Sequence, residues 1–321
     1  MSLDTTSPIP ITLLPPAPAL LPGIDEPRAP LHRLRSMVLL GGSVRPNAFR
    51  KGIGRSILEL PIEPNRRLID LWRDQVASVA EVARWHRPNI RLLIDKRSPT
   101  LHAEAGEGAV EVMTQVDRGE LRGTGGILRD LSDLFEDDDY ILVGNAAQLV
   151  GEPLIRVVAL LAATGGDVTL TAHDDGTPSS IALIRCGALR VIRSTGYIDF
   201  KEQALSVVAQ RHSVVVARVP RTVGLPVQSL ADYIRAVRTL QALRSGRRPS
   251  ADPLAEAWAA TFSLVEDPHD AHHTAEIYDS VALRGARVER NAVLVRSMIC
   301  PGAVVPAGST VIDRLVTADE S

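Results

Sequence analysis

Met37-Val38-Leu39-Leu40-Gly41-Gly42 carries the reading of the fold. A strand with one wet face alternates apolar and polar residues, and this run does not. Four apolar residues in succession predict a strand buried on both faces, as in parallel sheets flanked by helices. The glycine pair after it permits a tight turn at the strand's carboxyl end.

The chain on either side follows the same plan. Apolar residues recur at helical spacing through 68–85 (Leu68, Leu71, Val76, Val79, Val82), and 89–94 returns to strand character. A short helix at 127–135, a strand at 140–143 running into Gly144-Asn145, a helix at 154–163 and a strand at 167–172 continue the alternation. Such an order predicts an α/β fold: a Rossmann-like domain on a mixed, mostly parallel sheet. Residues 180–185 and 188–192 suggest a hairpin around Cys186-Gly187. A helix at 200–210, a strand at 213–219 and a helix at 230–243 opened by Ser229 follow. Upstream, eight prolines fall within residues 1–30. Each removes a backbone donor, so the tail reads as extended or disordered, or as a strap over the body.

Residues 244–250 form a polar hinge that closes a domain spanning 31–245. A linker at 246–270 is expected to hold a short helix at 254–261. From 271 to 321 the rhythm changes. Ile277, Leu283, Val288, Leu294, Ile299, Val305 and Val311 recur every five or six residues, with small residues between them. Steps near six fit triangular coils in which one aliphatic side chain per face stacks on the coil below, a short left-handed parallel β-helix. Ordinary strands are the alternative.

Composition narrows the function. The chain of 321 residues is 45% hydrophobic, enough for a large core, and its formal charge of -2 excludes a protein that is basic overall. With 11 aromatic residues and scattered arginines, no stacking track for nucleic acid is expected. No apolar stretch is long enough to span a membrane, and the start lacks the basic-then-apolar pattern of a signal peptide, so a soluble cytoplasmic protein is expected. Cys186 and Cys300 read as reduced, buried side chains rather than a disulfide framework.

Two glycine clusters carry the chemistry. After the first strand, Gly41 and Gly42 can bring backbone N–H groups near an anion, with charge from Arg45 and Arg55. A plain turn beside surface arginines is the alternative, because the spacing fits neither GxGxxG nor a phosphate loop. Gly123-Thr124-Gly125 reads as a flexible loop feeding a helix from Leu128, able to lie against a planar base or present N–H groups to a ligand.

Together these stretches resemble the sugar-1-phosphate nucleotidyltransferases, the family that includes mannose-1-phosphate guanylyltransferases. The family's L-A-G-G-x-G-T-R corner is similar to Leu39-Leu40-Gly41-Gly42-Ser43-Val44-Arg45. Its P-K-P segment falls near Gly54-Arg55-Ser56-Ile57-Leu58-Glu59-Leu60-Pro61, and its L-G-T-A-G-A loop near Arg122-Gly123-Thr124-Gly125-Gly126-Ile127. The strand ending in N-G-D resembles Ile141-Leu142-Val143-Gly144-Asn145-Ala146-Ala147, and V-D-I-K-E-Q resembles Tyr197-Ile198-Asp199-Phe200-Lys201-Glu202-Gln203. Asp232-Tyr233-Ile234-Arg235-Ala236 is similar to the helix after D-I-G, and many members append a left-handed β-helix. The resemblance covers residues 35–316.

It implies transfer of a nucleotidyl group to a sugar 1-phosphate with release of pyrophosphate, using Mg²⁺ held by aspartates. The chain departs from the pattern where that chemistry sits. Position 147 is Ala where N-G-D has its aspartate, and Val223-Gly224-Leu225-Pro226-Val227-Gln228 lacks the aspartate of D-I-G. Mg²⁺ needs oxygen ligands that alanine cannot supply. The P-K-P lysine has no match; Arg55 is nearest, and its fork is no simple substitute for an ammonium.

The resemblance leaves Gly123, Thr124 and Gly125 for the base, Asn145 for ribose or sugar hydroxyls, and Lys201 with Glu202 for the sugar phosphate. A solvated helix start is the plainer reading of the last two. Asp137-Asp138-Asp139 and the Asp174-Asp175 pair read as solvated turns, and His269, His272 and His273 as polar linker. The expectation is a degenerate homologue that binds a nucleotide or nucleotide sugar in a regulatory or scaffolding role, with no cofactor required. It would be a homo-oligomer or the companion of a catalytic homologue, without nucleic-acid or membrane partners. A working nucleotidyltransferase with Mg²⁺, or an interaction module using the β-helix, are the alternatives.

Overall fold

The computed structural model describes residues 12–13, 29–42, 47–102, 109–117, 122–245 and 261–320. Along the first part of the chain lie Thr12–Leu13 (β1), Ala29–His32 (α1), Leu34–Leu40 (β2), Ala48–Ile53 (α2) and a small hairpin of Pro61–Glu63 (β3) and Arg66–Arg67 (β4). Leu68–Ala83 (α3), Asn89–Ile94 (β5), Glu111–Val116 (β6), Gly123–Ser132 (α4), Tyr140–Asn145 (β7) and Gln148–Leu149 (β8) follow. Then come Leu154–Thr164 (α5), Val168–His173 (β9), Pro178–Arg185 (β10), Cys186–Leu189 (α6), Leu205–Val208 (α7), Val214–Val219 (β11), Leu225–Pro226 (β12) and Leu230–Arg244 (α8).

The main sheet has the order β1-β11-β9-β10-β7-β2-β5-β6. Only β10 runs antiparallel to its neighbours, β9 and β7. The unbroken apolar run of β2 has the reason the sequence implied. Met37 and Leu39 face one core shared with α3, α5 and α8, while Val38 faces the other, shared with α4, α6 and α7. Helix α3 buries Leu68, Leu71, Trp72, Val76, Val79 and Ala83, one stripe of a 3.6-residue repeat. Burying a side chain such as Leu71 contributes ~1.5–3 kcal/mol before entropy is charged against it. Helix α8 begins as expected, with Ser229 Oγ accepting from the Asp232 amide at 3.1 Å.

Three local expectations are corrected. The hairpin does not lie at Cys186-Gly187: β9 and β10 form it, around Asp174 to Thr177, where the Gly176 amide donates to His173 O. Cys186-Gly187 instead opens α6, held by N–H groups of both residues donating to the carbonyls of Asp139 and Asp137. Gly123-Thr124-Gly125 is the first turn of α4 rather than a loop, because the carbonyl of Ile198 accepts from the amides of Gly125 and Gly126. Of the tail, Thr12 and Leu13 pair in parallel with Val215 and Val216 at the sheet edge. The helix expected at 254–261 falls almost wholly outside the described residues.

After Phe262 the chain builds three small all-parallel sheets, the arrangement of a short left-handed β-helix. Its strands are Ser263–Val265 (β13), Glu276–Tyr278 (β14), Ser280–Ala282 (β15), Arg287–Val288 (β16), Val293–Val295 (β17), Met298–Ile299 (β18), Val304–Val305 (β19), Thr310–Ile312 (β20) and Leu315–Val316 (β21). Partners lie 17 positions apart throughout, as in Ser263↔Ser280, Glu276↔Val293 and Arg287↔Val304. A 17-residue coil is one short of three hexads, which explains why the aliphatic spacing slips between five and six.

The corners repeat with the coil. Asp279, Arg296 and Asp313 all adopt positive φ, as do Gly285 and Gly302. Ala282, Leu294, Ile299 and Val305 fill the interior of the coils. The opposite column of the first sheet, Leu264, Val281 and Met298, belongs to the main domain's core.

Candidate functional site

Strands β2, β5 and β7 are parallel, so the residues after them share one edge of the sheet. Leu40 stands level with Leu93 and Asn145. At this edge the amides of Gly41 and Gly42 both donate to Leu93 O, at 2.8 and 3.2 Å. Those N–H groups are thus committed to the sheet. A Cβ on Gly41 would lie 2.7 Å from Leu92 Cδ1, so a larger residue there would have to displace that side chain. Arg45 lies outside the described residues.

The charge at this edge comes from residues farther along. Asn47 caps α2 by accepting from the Arg50 amide at 2.9 Å, and its own amide nitrogen donates to Gln228 O at 2.6 Å. Helix α2 thereby presents Arg50 and Lys51. Past β5, Asp95 Oδ1 accepts from the amides of Arg97 and Ser98 at 2.7 and 2.8 Å, shaping a turn that presents Arg97. Arg50, Lys51, Arg97 and Ser98, with Gly41, Arg55 and Ala146, line a cleft of ≈ 180 Å³ in which, among the described residues, no carboxylate takes part.

The four cations of the cleft are not alike. Arg50 is half-buried, its Nη1 donating to Gly41 O at 3.3 Å; burial lowers its pKa while the charge of Asp95 opposes that shift. Arg55 is held by a forked ion pair to Glu266, at 3.0 and 2.6 Å, which fastens the main domain to the β-helix. Lys51 and Arg97 are exposed, and among the described residues neither forms an ion pair.

The two segments that lack the resemblance's metal aspartates meet beside this cleft. Strand β8 pairs with β12, Gln148 opposite Pro226 and Leu149 opposite Leu225, and the Val227 amide donates to Ala147 O at 2.9 Å. Ala147 and Pro226 offer no side-chain oxygen, and Asn145 Oδ1 is used by the Ala147 amide at 2.8 Å. Among the described residues no group of three His, Cys, Asp or Glu side chains gathers to hold a metal. These residues do not fit Mg²⁺.

Beneath the same junction sits a buried polar group. Gln148 Nε2, His173 Nδ1 and Ser179 Oγ are buried and have no hydrogen-bond partner among the described residues. All three side chains approach Gly224, whose Cβ would lie 3.2 Å from Ser179 Oγ and 3.3 Å from Gln148 Oε1.

The second glycine cluster is packed against the segment before α7. Gly123 has φ of 70°, and a Cβ there would sit 2.4 Å from Ile198 O. Thr124 Oγ1 donates to Asp199 Oδ2 at 3.3 Å and accepts from the Phe200 amide at 3.0 Å. Asp199 also accepts from the amides of Lys201 and Glu202, whose side chains are exposed on a π-helical turn, Phe200–Ala204. Of the residues expected at a site, Gly41 and Arg55 line the cleft, and Asn145 adjoins Ala146, which does. Gly123, Thr124, Gly125, Lys201 and Glu202 do not line it.

Asp139 is a further correction. It is buried and ion-paired with Arg35 at 3.0 Å rather than solvated. Asp137 and Asp138 are exposed and pair with Arg190 and Arg185. His272 Nδ1 engages Thr274 at 2.9 Å on the β-helix surface. Both cysteines are buried and unbridged, and burial, helped by Asp139, pushes the Cys186 thiol up to about 12, far from thiolate reactivity.

Arg50 and Arg97 were not singled out from the sequence. The signal for Arg97 is Asp95-Lys96-Arg97-Ser98, an Asp-led turn directly after a parallel strand. Arg50 leaves no comparable mark in the sequence.

Among the described residues no helix is long and apolar enough to cross a membrane. No protein-family model matches the chain, and no curated protein does. Solved structures similar to it include HddC from Yersinia pseudotuberculosis, at 11% identity and a TM-score of 0.46, covering 64% of this chain and 99% of that one. A putative glucose-1-phosphate thymidylyltransferase from Bacillus anthracis, in complex with a sucrose, is 11% identical with a TM-score of 0.49, covering 65% and 95%. A homologue of Mycobacterium tuberculosis rv0371c from Mycobacterium sp. strain JC1 is 16% identical with a TM-score of 0.41, covering 66% and 98%.

Proposed function

We propose that the chain is a degenerate member of the sugar-nucleotidyltransferase-like superfamily, a cytoplasmic protein that binds a nucleotide or nucleotide sugar in a regulatory or scaffolding role. One observation carries this reading. The segments where the resemblance calls for metal-holding aspartates lie hydrogen-bonded side by side and bring together alanine and proline. Next to them, Arg50, Lys51, Arg55 and Arg97 surround a cleft suited to phosphate oxygens. Guanidinium and ammonium groups hold and orient such a ligand, but joining two polyanions requires further charge neutralisation.

Calorimetry with a panel of nucleotides and nucleotide sugars tests the proposal; binding is expected, and its absence at millimolar ligand rejects it. An active nucleotidyltransferase is the second reading, favoured by Asp95, whose Oδ2 would lie 3.3 Å from a Cβ on Gly42. Pyrophosphate release from sugar 1-phosphates and nucleoside triphosphates, falling in Asn145→Ala or Lys201→Ala, would establish it. The β-helix leaves Tyr278 and Ile312 exposed in register on its outer sheet, which favours an added role in self-association or in docking a catalytic homologue. Light scattering across micromolar concentrations tests self-association; a strict monomer removes it.

A further inference from the structure

We infer that the cleft between α2 and the Asp95 turn takes an unchelated polyphosphate, such as the diphosphate of a nucleotide free of Mg²⁺, and that Mg²⁺ competes against this binding. The inference rests on the nucleotide-binding reading above and specifies the form of its ligand.

The argument begins with charge. Among the described residues, four basic side chains line the cleft and no Asp or Glu does. Glu266 already occupies the fork of Arg55, which leaves Arg50, Lys51 and Arg97 for an incoming anion. Arg50 is half-buried beside Gly41 O, where water screens its charge least. The charge of Asp95 acts on Arg50, and one oxygen of that carboxylate holds the amides of Arg97 and Ser98. An anionic diphosphate therefore meets a net positive surface with forked donors, the arrangement in which arginine binds phosphate best.

Chelation reverses the balance. Mg²⁺ on a diphosphate cancels much of its negative charge and adds a dication facing the same cations. The ion also demands oxygen ligands in an octahedral shell. Ala146 supplies no side-chain oxygen to the lining, and the hydroxyls of Ser56 and Ser98, which do, are uncharged. Among the described residues no anionic oxygen in the lining offsets the charge the ion cancels.

Calorimetry of the full chain with inorganic pyrophosphate and with ADP, in EDTA and again in excess Mg²⁺, is the test. The expected result is at least about tenfold tighter binding in EDTA, equivalent to ~1.4 kcal/mol. Arg97→Ala and Lys51→Ala, both exposed positions whose loss spares the fold, should each weaken binding and reduce its salt dependence. Equal or tighter binding with Mg²⁺, or affinity unchanged in both variants, overturns the inference while leaving nucleotide binding intact. Failure of pyrophosphate, ADP and nucleotide sugars alike in both buffers defeats the inference and the reading beneath it together.

Discussion

At Gly123 one hydrogen atom decides whether α4 can start where it does. The residue needs left-handed backbone, which costs an L side chain ~1–2 kcal/mol, and a methyl group would also run into the carbonyl of Ile198. Gly123→Ala should therefore lower unfolding stability by at least ~2 kcal/mol in urea titration. Thr124→Ala should cost about 1 kcal/mol, because it gives up the hydrogen bonds to Asp199 and the Phe200 amide. A loss below ~0.5 kcal/mol for Gly123→Ala would mean that residues 196–199 move aside freely. The sequence marked this glycine as special but for ligand access; the structure uses it for contact between two segments 75 residues apart.

Among the elements, Asp167 ties three strands at one end of the sheet. Its carboxylate accepts from Arg185 Nη1 at 3.0 Å and the Ser213 amide at 3.1 Å, with His212 Nδ1 3.4 Å away. Burial pushes its pKa up, but the Arg185 and Ser213 hydrogen bonds and the charges of Arg185 and His212 outweigh that and hold it below the usual carboxylate value. A pKa lowered by folding contributes stability above the unfolded value and loses it as pH falls through the folded one. Asp167→Asn should thus be less stable than the parent at neutral pH, with the difference shrinking toward zero below about pH 4. Denaturant midpoints from pH 7 to acid would check this; a constant difference would assign the effect to packing alone.

Across the whole molecule, the β-helix is part of the main core. Leu264, Val281 and Met298 are buried against the α/β domain, and Gly52 of α2 lies so close to β21 that a Cβ would meet Leu315 at 2.5 Å. The helix carrying Arg50 and Lys51 is therefore positioned by the last coil. Val281→Asp should unfold or grossly destabilise the chain, whereas Tyr278→Asp, on the exposed sheet, should shift stability by no more than ~0.5 kcal/mol. Circular dichroism melts of both variants distinguish a docked β-helix from a tethered one. A double-mutant cycle on Arg55 and Glu266 should give a coupling of ~1–3 kcal/mol, since both are mostly shielded and doubly bonded. Coupling near zero would remove the ion pair as a clamp.

What the sequence determined by itself is the fold and its two parts. The unbroken run at Met37 to Leu40, the helical stripe of α3 and the near-hexad steps after Ile277 are local periods, and a period reports directly how many faces of an element are buried. Ser229 as a helix cap was legible from its residue type and place, and the two buried cysteines from their type and number. The site was not. Whether Arg55 faces phosphate or Glu266, whether Gly41 offers its amide to a ligand or to Leu93, and whether Asp139 is wet or buried depend on partners 52 to 211 residues away. Only the tertiary structure decided those, because a charge or an N–H group is defined by what stands opposite it, and that partner is chosen by the folding of the whole chain.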